Sequence, residues 1–141
     1  MTTKRERILR AIKENLTLTS GVGGRVYRSR VTAVQRAESP AIVIEAISDT
    51  PVQNTSLPTL DWRMRVRVSV IVRGDTPDEI ADPIIENMHA RMVADLTLGG
   101  YAIDVQPDEV SFNMFDSDQP AGVIFNDYIV QYRTTVASLA T

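Results

Sequence analysis

The chain contains no cysteine, one histidine, one tryptophan and only two lysines among its 141 residues. Without cysteine there is no disulfide scaffold, no thiolate-bound zinc and no thiol nucleophile. No apolar run approaches the roughly 20 residues that a membrane helix requires. The opening segment, MTTKRERILR, is charged with no apolar stretch behind it, so a signal peptide is not expected. These absences leave a soluble protein of a cytosol-like compartment as the expectation.

What is present fits one domain over residues 1–141. With 43% hydrophobic and 23% charged residues, the composition lies close to that of ordinary globular proteins. A domain of this length buries roughly 68–70% of its unfolded surface, enough for a core without staples. The net charge of -3 conceals an asymmetry. Residues 1–73 hold 13 basic and 6 acidic side chains, whereas residues 74–141 hold 2 basic and 12 acidic. Either the halves neutralise one another within the fold, or the subunit has a basic and an acidic flank suited to head-to-tail contact between copies. The 13 arginines against two lysines fit an interface-rich surface, and equally a GC-rich genome.

Along the chain, residues 3–15 have helical periodicity, with Ile8, Leu9, Ile12 and Leu16 on one stripe. Lys4, Arg5 and Arg7 give that helix a first turn of the wrong sign for its dipole, so it frays or meets an acidic partner. Short strands are expected over residues 25–31 and 41–47, the latter apolar enough for burial on both faces. Residues 49–60 contain two prolines and no periodicity and are expected to form a long mobile connection. Over residues 61–72, Trp62, Met64, Val66, Val68, Val70 and Val72 alternate with Asp61, Arg63, Arg65, Arg67, Ser69 and Ile71. That is a strand of roughly 35–40 Å, with one face in the core and a row of arginines on the other. Thr76-Pro77-Asp78-Glu79 has the form of a capping box opening a helix that Pro83 kinks or restarts and Gly99-Gly100 closes. Short strands over 101–105 and 110–114, a polar loop over 115–122 and a long strand over 123–136 complete the order. The fold class is therefore α+β: an antiparallel-rich mixed sheet with two helices packed on one face.

Chemistry-bearing constellations are few. His89 has no G-x-S-x-G serine nearby, and Glu86-x-x-His89 is a single copy of a motif that di-iron sites need twice. Asp75, Asp78, Glu79, Asp82 and Glu86 form an acidic stripe at a helix start, which the dipole favours without any cation. Asp116 and Asp118 lack the remaining ligands of a calcium loop, and Gly21-Val22-Gly23-Gly24 lacks the Lys-Ser/Thr of a phosphate loop. No catalytic residue, cofactor or metal is expected. The basic helix and Arg63, Arg65 and Arg67 suit nucleic acid, but aromatic interleaving is missing and the pI is near 5.1. Asp127 on the last strand can instead pair an arginine if the two strands are neighbours.

The order of parts carries a resemblance. A basic helix leads to R-V-Y-R and P-A-I-V-I-E, then a polar loop, D-W-R-M-R-V-R-V-S-V-I-V-R, G-D-T-P-D-E-I-A-D and a closing F-N-D-Y-I-V-Q-Y-R-T-T strand. This resembles the tail-terminator proteins of long-tailed phages, the minor tail protein U group. The resemblance implies a virion protein, assembled in the host cytoplasm, that forms a ring of six at the head-proximal end of the tail tube. It would stop tube polymerisation and present the head-joining surface, with DNA passing through without sequence-specific binding. Its partners would be itself, the tube protein and a head-closure or neck protein, with no membrane involved. On this reading Arg63, Arg65 and Arg67 supply one subunit flank and Asp78, Glu79, Asp82 and Glu86 the other. Asp49, Val52, Gln53, Asn54 and Leu57 then lie on a loop that contacts the tube or a neighbour. Another neck ring protein and a nucleic-acid-binding module are the alternatives.

Overall fold

The alternating stretch around Trp62 becomes the spine of a five-stranded sheet. The computed structural model describes residues 2–30, 38–115 and 120–141. In chain order the elements are α1 (Lys4–Thr17), β1 (Val26–Arg28), β2 (Ala41–Val52), β3 (Thr59–Arg73), α2 (Pro77–Met92), β4 (Asp104–Phe115) and β5 (Ala121–Thr135). The strands lie in the order β1-β2-β3-β5-β4. Among the described residues β1 and β2 pair in parallel, and β2–β3, β3–β5 and β4–β5 pair antiparallel. The fold is α+β, as the alternation of patterns predicts.

Period-two burial sets the faces. Met64, Val66, Val68, Val70 and Val72 of β3 are buried on the helix-covered side with Ile124, Tyr128, Val130 and Tyr132 of β5. Ile8, Ile12 and Leu16 of α1 and Ile84, Met88 and Met92 of α2 close over them. Each fully buried aliphatic side chain contributes about 1.5–3 kcal/mol. Trp62 is stacked on Tyr132 with ring centroids 5.9 Å apart and donates Nε1–H to Thr134 Oγ1 at 2.9 Å.

Several expectations are corrected. Residues 49–60 are not one long loop: β2 runs to Val52 and β3 starts at Thr59, so only residues 53–58 connect them. Pro51 is tolerated because β1 pairs β2 only at residues 42–44, leaving an edge where no N–H is needed. Ile47, skipped by the register shift between Ala46 and Ser48, is exposed, so burial on both faces ends at Ile44. In place of the expected strands at 101–105 and 110–114 there is one strand, β4, which starts only at Asp104 and has a register shift between Pro107 and Glu109. Such a bulge admits one extra residue and a proline at a sheet edge. Phe115, Ala121 and Gly122 belong to strands rather than to a polar loop. Residues 116–119, including Asp116 and Asp118, and Val31 of the expected 25–31 strand lie outside the described residues.

The second helix differs in detail. Thr76 is the N-cap residue, but its side chain makes no cap hydrogen bond, so the capping box does not form. Pro77 at the first position and Asp78 and Glu79 in the first turn favour the start instead. The helix passes through Pro83 and ends at Met92, well before the glycine pair. The Asp95 carboxylate accepts from the backbone N–H groups of Thr97 and Gly99 at 3.0 Å each, building a turn in which the helix cannot continue. Gly122 marks where α2 meets the sheet: a Cβ there would stand 2.5 Å from Pro77 Cβ and 2.8 Å from Met114 Sδ.

Candidate functional site

The face of the sheet opposite the helices carries the arginine row. The register sets Arg67 opposite Asp127, Arg65 opposite Ile129 and Arg63 opposite Gln131. Asp127, whose side chain is only 5% exposed, accepts from Arg67 Nε at 2.9 Å and from Arg65 Nη1 at 3.1 Å. Arg65 Nη1 also lies 2.6 Å from Asp108, the residue admitted by the β4 bulge. Burial alone would push the Asp127 carboxyl up, but hydrogen bonds from Arg67 and then Arg65 outweigh it and hold the group below its ordinary range. Hydrogen bonds to these carboxylates raise both guanidiniums. Two of the three arginines are thus neutralised within the sheet. Arg63 has no ion-pair partner among the described residues.

A second polar node ties the β2–β3 hairpin to α1. Arg5 Nε donates to Asp49 Oδ2 at 2.7 Å, and the Tyr132 hydroxyl donates to the same oxygen. Arg5 also lies over the Trp62 ring, 5.5 Å from its centroid. Burial first, and then the hydrogen bond to Asp49, push the Tyr132 hydroxyl far above its ordinary range. The acidic partner required by the basic first turn of α1 is therefore Asp49 of the same chain. Lys4 Nζ donates to the Arg133 carbonyl at 2.7 Å, and Thr3 caps the helix by accepting from the Glu6 N–H. Of the expected contact residues, Asp49 is held inside, whereas Val52, Gln53, Asn54 and Leu57 are exposed. Asn54 donates to Asp61, which Arg133 also grips, so the hairpin end is laced to β3 and β5.

The acidic stripe stands on α2 at the opposite end of the sheet. Asp78, Glu79, Asp82 and Glu86, with Asp75 before them, have no ion-pair partner among the described residues. Between α2 and the β4 edge lie two clefts. One, of 460 Å³, is lined by Pro77, Asp78, Met114 and Phe115; the other, of 280 Å³, by Ile85, Glu86, His89 and Val110. The Nδ1 of His89 lies 2.8 Å from the Tyr128 hydroxyl, and the two rings stack at 5.9 Å. Burial pushes that hydroxyl up to about 12, so Tyr128 stays protonated near neutrality. The structure does not bring the arginine row and the acidic stripe together; they occupy different faces. Sequence reasoning missed the β4 edge residues Val110, Phe112 and Met114. Their alternation marks a strand, but nothing local says that the strand is terminal.

No family model matches the chain, and no curated protein does. Among solved structures, a chain in the virion of a native gene transfer agent particle has the same fold, with a TM-score of 0.59. The likeness covers 89% of this chain and 94% of that chain at 8% sequence identity. Identity that low speaks to the fold alone. The likeness extends over most of both chains.

Proposed function

We propose that this chain is a virion structural protein of the tail-terminator kind. It forms a ring at the head-proximal end of a tail tube, ends tube polymerisation and presents the surface that joins the head. The observation that carries the proposal is the likeness, over nearly the full length of both chains, to a chain of a gene transfer agent virion. The order of sequence blocks from the basic helix to the F-N-D-Y-I-V-Q-Y-R-T-T strand supports it independently. No catalytic step or cofactor forms part of this function. A nucleic-acid-binding role is less well supported, because Asp127 already occupies the guanidiniums of Arg65 and Arg67 that would track phosphates.

Deleting the gene from the particle that encodes it tests the function. The expected result is tube of uncontrolled length lacking joined heads, restored by supplying the protein in trans. Tails of normal length with heads missing would instead assign it to the neck beyond the tube end. Steeply salt-dependent DNA binding by the isolated protein would favour the nucleic-acid reading.

A further inference from the structure

Strand β4 closes the sheet order and pairs only with β5, so the other edge of its 12 residues is without a strand partner among the described residues. Exposed edges of this kind are templates for pairing, and proteins usually blunt them with charge, proline or a bulge. Here Pro107 and the neighbouring bulge blunt only the first part. Residues 110–115, V-S-F-N-M-F, carry no charge and no proline. Val110 (51% exposed), Phe112 (63%) and Met114 (46%) stand on the helix side of the strand, beyond the cover of α2, with Phe115 (46%) beside them. Clustered apolar exposure rimmed by charge marks an interaction surface.

The rim identifies the occupant. Residues 75–109 hold nine acidic side chains and one basic, whereas residues 4–30 hold eight basic and two acidic, an excess that Glu38 and Asp49, paired with Arg30 and Arg5 from outside that segment, reduce to four. The first segment runs from the start of α2 into β4; the second is α1 and β1, at the other end of the strand order. The two ends of one sheet therefore have opposite charge. Pairing β4 with β4 of another copy would bring two acidic rims together, which like-charge repulsion opposes. Pairing the β4 flank with the α1–β1 flank of another copy matches charge at every step and leaves both new ends free to repeat the contact.

We infer that the edge formed by β4 and the acidic side of α2 is the surface on which a second copy of this chain docks, through its cationic α1–β1 flank. The inference rests on the ring reading and specifies the contact that repeats around the ring. Phe112 and Val110 are its apolar anchors, and Asp78, Asp82 and Glu86 align it.

The absence of cysteine makes the test clean. Wild-type mass is measured free at low ionic strength and subunit stoichiometry in purified particles. Phe112→Glu, and separately Val110→Ser/Phe112→Ser, should keep the wild-type melting temperature, since both sites are exposed, while weakening self-association at least about tenfold. Lys13→Glu/Arg25→Glu should weaken it likewise from the other flank, with some loss of melting temperature because Arg25 Nε donates to the Pro40 carbonyl at 2.8 Å. Mixing F112E with K13E/R25E subunits should yield dimers and nothing larger, because one intact contact remains and neither end can extend. Phe112→Cys alone should not cross-link to itself under oxidation. Wild-type assembly that survives both β4 variants, or efficient F112C self-cross-linking, overturns this contact while leaving the ring reading intact. A wild-type chain that is monomeric both free and in particles overturns the ring reading and this contact with it.

Discussion

Asp127 is the residue on which the open face of the sheet is organised. Its carboxylate is buried, yet two guanidiniums keep it charged. A carboxyl held below its unfolded value, about 3.9, stabilises the fold above that value and loses the contribution as pH falls through the folded value. Asp127→Asn should therefore lower stability by about 1 kcal/mol at pH 7, discounted because Arg65 and Arg67 are each about one-third exposed. In thermal melts the gap between wild type and D127N should close as pH drops below about 4; a gap that stays constant from pH 7 to pH 3 contradicts this role. Thr134→Val makes a complementary probe on the core side. It keeps the shape but leaves the Trp62 Nε1–H without its acceptor, an expected cost of about 1–3 kcal/mol in denaturant unfolding.

At the scale of elements, the β2–β3 hairpin and the α2–sheet junction separate fold from function. Replacing residues 53–58 with Asn-Gly should leave the melting temperature within a few degrees of wild type, because the strand register on either side is complete. Under the proposed function the same variant should give overlong or uncapped tails; normal tails would show that this loop has no part in termination. Gly122→Ala should be costly by contrast, about 1–3 kcal/mol, since its Cβ would press on Pro77 and Met114 at the junction. Much of this layout was legible beforehand. The stripe of Ile8, Leu9, Ile12 and Leu16 and the alternation from Trp62 to Val72 each record which face is buried, and every one of those side chains is. What was illegible depended on neighbours. That Pro51 and Pro107 sit in strands follows only once β2 is known to run beyond its pairing with β1 and β4 to be the last strand of the sheet. Which acidic partner the first turn of α1 meets was illegible because Asp49 is 44 residues from Arg5 in the chain. The pairing of Asp127 with the arginine row was open on sequence, and the β3–β5 register resolves it within the subunit.

Over the whole molecule, the charge imbalance between the halves is only partly cancelled. Arg65 and Arg67 with Asp127 and Arg65 with Asp108 cancel charge between the halves, while the acidic start of α2 has no such partner among the described residues. A subunit left with opposite charge at the two ends of one sheet is suited to a closed, head-to-tail assembly, and such an assembly should weaken as salt rises. The most direct test is to image purified particles in which the chain has a C-terminal label and to average the density at the junction of head and tail. A tail-terminator role predicts label in one ring at the head-proximal end of each tube, with six copies per particle if the resemblance holds. Label distributed along the tube, confined to the distal tip or absent from the particle would contradict it.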